Sequence, residues 1–91
     1  MSSWPLVQVD WVDSNGGGGW NSIDSERRDA ENNDLKCATA GWLLEANERY
    51  VLVATSRTVG RGEEQVSDSM QIPRVAITRI RALQPGRTMR R

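Results

Sequence analysis

Apolar and polar residues alternate through residues 5–12, where Val7, Val9 and Trp11 are separated by Gln8 and Asp10. A two-residue period of this kind puts one face of a strand on a core and the other in water. Asp13, Ser14, Asn15 and Gly16 follow as turn chemistry, and the run Gly16 to Gly19 lengthens the turn into a loop that closes on Trp20. Residues 22–34 are polar and acidic. Ser22 or Asp24 is placed to cap a short helix, but only Ile23 and Ala30 offer it an apolar face.

Alternation returns from Leu35 through Ala38, Ala40, Trp42 and Leu44. Residues 45–49 read as a polar turn, and Tyr50 to Thr55 form the densest apolar strand, so residues 35–56 are expected to be a hairpin. Residues 56–69 hold two glycines and mixed charges, which predicts a long exposed loop or hairpin tip. Met70 to Pro73 is a short strand ended by proline. Ile72, Ala76 and Ile80 are spaced as on a helix face, whereas Ile80 and Ala82 alternate with Arg79 and Arg81 as in a strand. One helical turn at 73–77 followed by a strand at 78–83 satisfies both. Five short strands with a long first loop or short helix predict a mainly β fold, a small SH3-like or Sm-like barrel over residues 1–84, with 85–91 as a basic tail. A small α+β domain with a C-terminal helix is the alternative.

A chain of 91 residues is one domain, and small chains bury a small fraction of their surface, so the core should be thin and a homo-oligomer is expected. The formal charge is zero, yet residues 1–50 hold nine acids against four bases and residues 51–91 three acids against eight bases. Such polarity can pair halves within a subunit, join subunits, or offer a basic face to an anion. All bases but Lys36 are arginine, a pattern that serves phosphate recognition or merely reflects the nucleotide composition of the gene. Cys37 is the only cysteine, so no intramolecular disulfide forms, and it reads as a small buried apolar residue of a reducing compartment. No apolar run reaches the roughly 18 residues of a membrane span and no signal segment opens the sequence, which predicts a cytoplasmic protein away from membranes.

The chain has no histidine, so imidazole general bases are excluded, and zinc sites that use histidine with them. No cofactor, metal site or enzymatic activity is expected. Asp10 and Asp13 flank Trp11 and should face opposite sides of the strand, which does not make a cation site. A binding site is the better reading of the first loop. Asp13 and Ser14 supply polar groups, Gly18 and Gly19 let a ligand approach the backbone, and Trp20 offers a stacking face. Trp20 is equally readable as a core plug. Arg57, Arg61 and Arg74 are candidates for phosphate contacts, with a solubilising hairpin tip as the plain alternative for Arg57 and Arg61. Trp11 and Trp42, each inside an alternating strand, are read as core residues.

The constellation Trp11-x-Asp13-Ser14, Gly19-Trp20, Ile23-Asp24, Gly41-Trp42-Leu43-Leu44, Tyr50 to Val53, and Met70-x-Ile72-Pro73 with Ile77 and Ile80 resembles a family of small phage- and prophage-encoded proteins. The resemblance spans residues 5–84. A longer glycine run and a more polar 24–34 segment set this chain apart from that pattern. The resemblance implies an accessory phage product. By analogy of fold, the expected function is a non-enzymatic sponge that sequesters a nucleotide-derived immune signal, of cyclic nucleotide or ADP-ribose type, and so blunts bacterial defence. Two other classes stay open: an Sm-like binder of single-stranded RNA or DNA, and an adaptor that blocks a host protein through an exposed tryptophan.

Overall fold

The structure is a computed structural model that describes residues 4–14, 19–32, 35–60, 62–84 and 86–89, with Asn32 described by its backbone alone. The elements run β1 (Leu6–Asp13), α1 (Ile23–Asn32), β2 (Leu35–Ala46), β3 (Tyr50–Arg57), β4 (Val66–Pro73), a 3-10 turn (Arg74–Ala76) and β5 (Ile77–Ala82). The five strands form one antiparallel sheet in the order β4-β3-β2-β1-β5. The chain is mainly β, as its alternating runs foretold.

The long strand β2 shapes the sheet. Its first part, Leu35 to Trp42, pairs with β1, and its second, Trp42 to Ala46, pairs with β3 across a bulge between Leu43 and Glu45. Pro73 at the end of β4 lies beside Tyr50, which in turn is bonded to Asn47 beyond the end of β2. Ile77 at the start of β5 lies beside Trp11 and hence level with Cys37. Cys37 and Asn47 would be about 33 Å apart along a straight strand, whereas the chain from Pro73 to Ile77 reaches at most about 14 Å. The two halves of β2 must therefore be bent toward one another. The bend brings non-neighbouring strands into contact: the Thr39 hydroxyl on β2 lies 3.8 Å from the Met70 sulfur on β4.

Gly41 is what lets the strand turn. A Cβ there would stand 2.5 Å from the Ala54 carbonyl oxygen, inside any tolerable contact distance. The folded sheet encloses Val7, Val9, Val51, Val53 and Ile72, with Trp11, Leu43 and Ile77 packed against them. At about 1.5–3 kcal/mol for each fully buried aliphatic side chain, this is a small reserve for a chain of this length.

Two expectations are corrected. The sheet is not closed into a barrel: β4 and β5 are both edges, joined only through the 3-10 turn. Residues 66–69, expected in a loop, belong to β4, because pairing with β3 extends from Pro73 back to Val66 and sets the strand without an apolar face. Every β4 residue except Ile72 is exposed, so the hydrophobic pattern had nothing to register there. The C-terminal segment is a turn and a strand; the helical alternative is not the one adopted.

Gly41→Ala is expected to destabilise the fold by roughly 1–3 kcal/mol, the usual range for overpacking, read as a lower urea midpoint. An unchanged midpoint would show that the bend does not need a glycine.

Candidate functional site

Asp13 ends β1 opposite Leu35, and its carboxylate accepts a hydrogen bond from the Ser14 amide at 2.8 Å. Gly16, Gly17, Gly18 and Arg61 lie outside the described residues. Gly19 has φ +79°, a left-handed conformation that glycine tolerates at little cost. Trp20 is fully exposed, so it is no core plug. Ser22 then caps α1, its hydroxyl accepting from the Ser25 amide at 3.1 Å while its carbonyl accepts from Glu26. Asn21 donates to the Glu26 carboxylate at 2.7 Å, which fixes the residue next to Trp20 against the helix start. Among its described side chains, all but Ser25 are exposed, so the helix buries little against the sheet.

The predicted arginines fall in two places. Arg57 ends β3 opposite Val66, and Arg74 opens the 3-10 turn just past the Tyr50–Pro73 pair. Seven ladder steps separate those two pairs, about 23 Å of strand. One small ligand therefore does not meet both. Arg74 serves the fold: its Nε donates to the Asn47 carbonyl at 2.7 Å and its amide to the Arg49 carbonyl at 2.9 Å, tying the turn to the β2–β3 connection.

Arg57 is different. Its guanidinium carbon lies 5.3 Å from the centre of the Trp42 ring, and its Nε is buried with no hydrogen-bond partner among the described residues. Stacking on an indole holds a guanidinium flat without consuming its donors. Around it Ser56, Thr58, Gln65, Val66 and Ser67 line a shallow cleft of about 290 Å³. The Thr58 amide donates to the Gln65 carbonyl at 2.8 Å, and the Gln65 amide donates back to the Thr58 hydroxyl at 2.9 Å, which closes the cleft floor. Gly60 and Gly62, at φ +127° and +107°, carry the chain round the hairpin tip beyond. Trp42, expected in the core, is half-buried and stands outside the buried cluster. Trp11 is packed against that cluster, and its indole N–H donates to the Thr39 hydroxyl at 3.0 Å.

A larger cleft of about 510 Å³ opens between β1, β2 and β5, with Trp11, Val12, Cys37 and Ala38 as walls and Asp10, Lys36 and Thr78 at its rim. Cys37 is half-buried here rather than sealed in the core. The sequence reading missed this cleft. Its one signal was the acid Asp10 on the polar face of β1, matched by Arg79 and Arg81 in the last strand. Asp10 accepts from Gln8 at 2.8 Å and pairs with Arg81 at 3.3 Å. The Gln8 hydrogen bond holds its carboxyl below the ordinary value of 3.8; desolvation opposes this, and the Arg81 charge and hydrogen bond and the Arg79 charge add to it.

The fold and these clefts define a small open antiparallel β-sheet protein with polar surface sites. Compared with protein-family models, curated proteins and solved structures, the chain finds no match in any of the three. Among the described residues no helix is long and apolar enough to cross a membrane.

Because Asp10 is more acidic when folded, its contribution to stability is complete above pH 3.8 and is lost as the pH falls further, through the folded-state value. Asp10→Asn should therefore be less stable than the parent at neutral pH, and the gap should narrow below pH 3.8 in thermal melts. A gap that stays constant with pH would show that the carboxylate's charge contributes nothing.

Proposed function

We propose that this chain is a non-enzymatic binding protein that captures a nucleotide-derived anion, of cyclic nucleotide or ADP-ribose class, at Arg57. As a phage accessory protein, the role its sequence pattern implies, it would withdraw such a signal from the bacterial cytosol. The observation that carries this reading is the Arg57 guanidinium 5.3 Å from the Trp42 ring centre, with its Nε lacking an acceptor among the described residues. A phosphate takes such a group in bidentate fashion, and charge-assisted bonds of this kind are the strong ones.

The chemistry of the cleft supports capture rather than turnover. Its described lining offers guanidinium, hydroxyl and amide groups, which bind and orient a ligand, and includes neither a carboxylate nor an imidazole. Ser56, Thr58 and Ser67 suit the hydroxyls of a ribose. The exposed Glu63 and Glu64 at the same tip repel a long phosphate backbone, which favours one compact anion over an RNA strand. Trp20, the expected stacking residue, belongs to another part of the chain. Trp42 supplies the aromatic face in this reading.

Native mass spectrometry with a mixture of cyclic dinucleotides, ADP-ribose derivatives and a short RNA oligomer tests it. An unaltered small nucleotide should be retained, and Arg57→Ala should weaken it roughly tenfold to a hundredfold, the value of one charge-assisted contact. Adducts with RNA alone, a converted ligand, or an affinity indifferent to Arg57 would each refute the proposal.

A further inference from the structure

Trp20 and α1 form an arm with no seat in their own chain. The indole is fully exposed and Ile23, in the first turn of the helix, is 72% exposed. A helix of 10 residues is marginal in water by itself and draws its stability from a surface to lie on. This one is capped, yet it buries little against the sheet. The chain as a whole exposes 7964 Å². A compact protein of its mass exposes about 5,300 Å². The excess is larger than the roughly 800 Å² that a standard interface covers on each side.

The cleft between β1, β2 and β5 has the complementary form. It is open, of about 510 Å³, and Trp11, Val12, Cys37 and Ala38 line it together with Asp10, Lys36 and Thr78. The charges match as well. The arm carries Asp24, Glu26, Asp29 and Glu31 against Arg27 and Arg28, while the cleft and the neighbouring β5 carry Lys36, Arg79 and Arg81 against Asp10. An acidic helix beside a basic strand, with an indole beside an apolar hole, is a matched pair borne by one chain.

We propose that the arm docks on a second copy of this chain: Trp20 of one copy fills the β1–β2–β5 cleft of the other, and α1 lies along the second copy's Lys36, Arg79 and Arg81. A twofold axis lets both arms exchange at once, so that each chain gives one knob and receives one. This contact is independent of the ligand at Arg57, and a failure of either leaves the other standing.

Sedimentation equilibrium of the full chain tests it. The parent should be a dimer at micromolar concentration, and Trp20→Ala should raise the dissociation constant roughly thirtyfold or more, the scale of a buried tryptophan anchor. Since Trp20 is fully exposed in its own chain, the variant should keep the parent's melting temperature at concentrations where both are monomers. Arg79→Glu should weaken the dimer, and Glu26→Arg added to it should restore part of the loss. A parent that stays monomeric, whether Trp20 is quenched freely by iodide or is shielded in its own cleft, would overturn the proposal. So would a dimer indifferent to Trp20→Ala and Arg79→Glu.

Discussion

The close approach of β2 to the Ala54 carbonyl at Gly41 governs the rest of the molecule. Without it β2 would run straight, and the 3-10 turn could not carry the chain from one edge of the sheet to the other. With it, one strand serves both halves, pairing first with β1 and then with β3. The five aliphatic residues at the centre come from β1, β3 and β4, strands that face one another only because β2 folds between them. The Trp11, Thr39 and Met70 chain crosses the same fold, indole to hydroxyl to sulfur.

A core this thin leaves much of the chain's chemistry on the surface. Arg57 and Trp42 illustrate how the fold uses it: neither is deeply buried, but stacking restrains both, and the hairpin tip closes beside them. On β1 and β5, Asp10 and Arg81 are part-exposed, at 24% and 44%, so their ion pair is worth little to stability. It arranges charge along β5 instead. The two clefts thus differ in kind, one a polar corner with an uncommitted guanidinium, the other an apolar slot with a charged rim.

Much of the fold was legible because β1 and β2 alternate and β3 is a dense apolar run. The capped helix was legible from Ser22, and the turn before β5 from Pro73 followed by two incompatible periods that only a turn plus a strand reconciles. Strand β4 was hidden, because Ser67 and Ser69 are held by backbone pairing on an exposed edge, and Asp68 between them stands outside the ladder with a positive φ of 55°. Failure to close into a barrel was also hidden, since edge pairing is a matter of register and distance that no single segment encodes. The candidate site was legible in part. Arg57 was found as an arginine near a glycine turn, but its pairing with Trp42 depends on the bulge between Leu43 and Glu45, which has no local signature. Trp20 was found as a loop aromatic, and its full exposure could be seen only once the helix proved to bury little against the sheet.

Trp11, Trp20 and Trp42 stand in three different environments, and their indole N–H signals separate the proposed roles within one experiment. In a two-dimensional ¹H–¹⁵N spectrum titrated with ADP-ribose and a cyclic dinucleotide, the account predicts that the Trp42 indole and the Arg57 Nε–H move with ligand. The Trp20 signal should respond to protein concentration and not to ligand. A Trp20 signal that tracks the ligand while Trp42 and Arg57 stay fixed would contradict the account, and would return the site to the glycine loop.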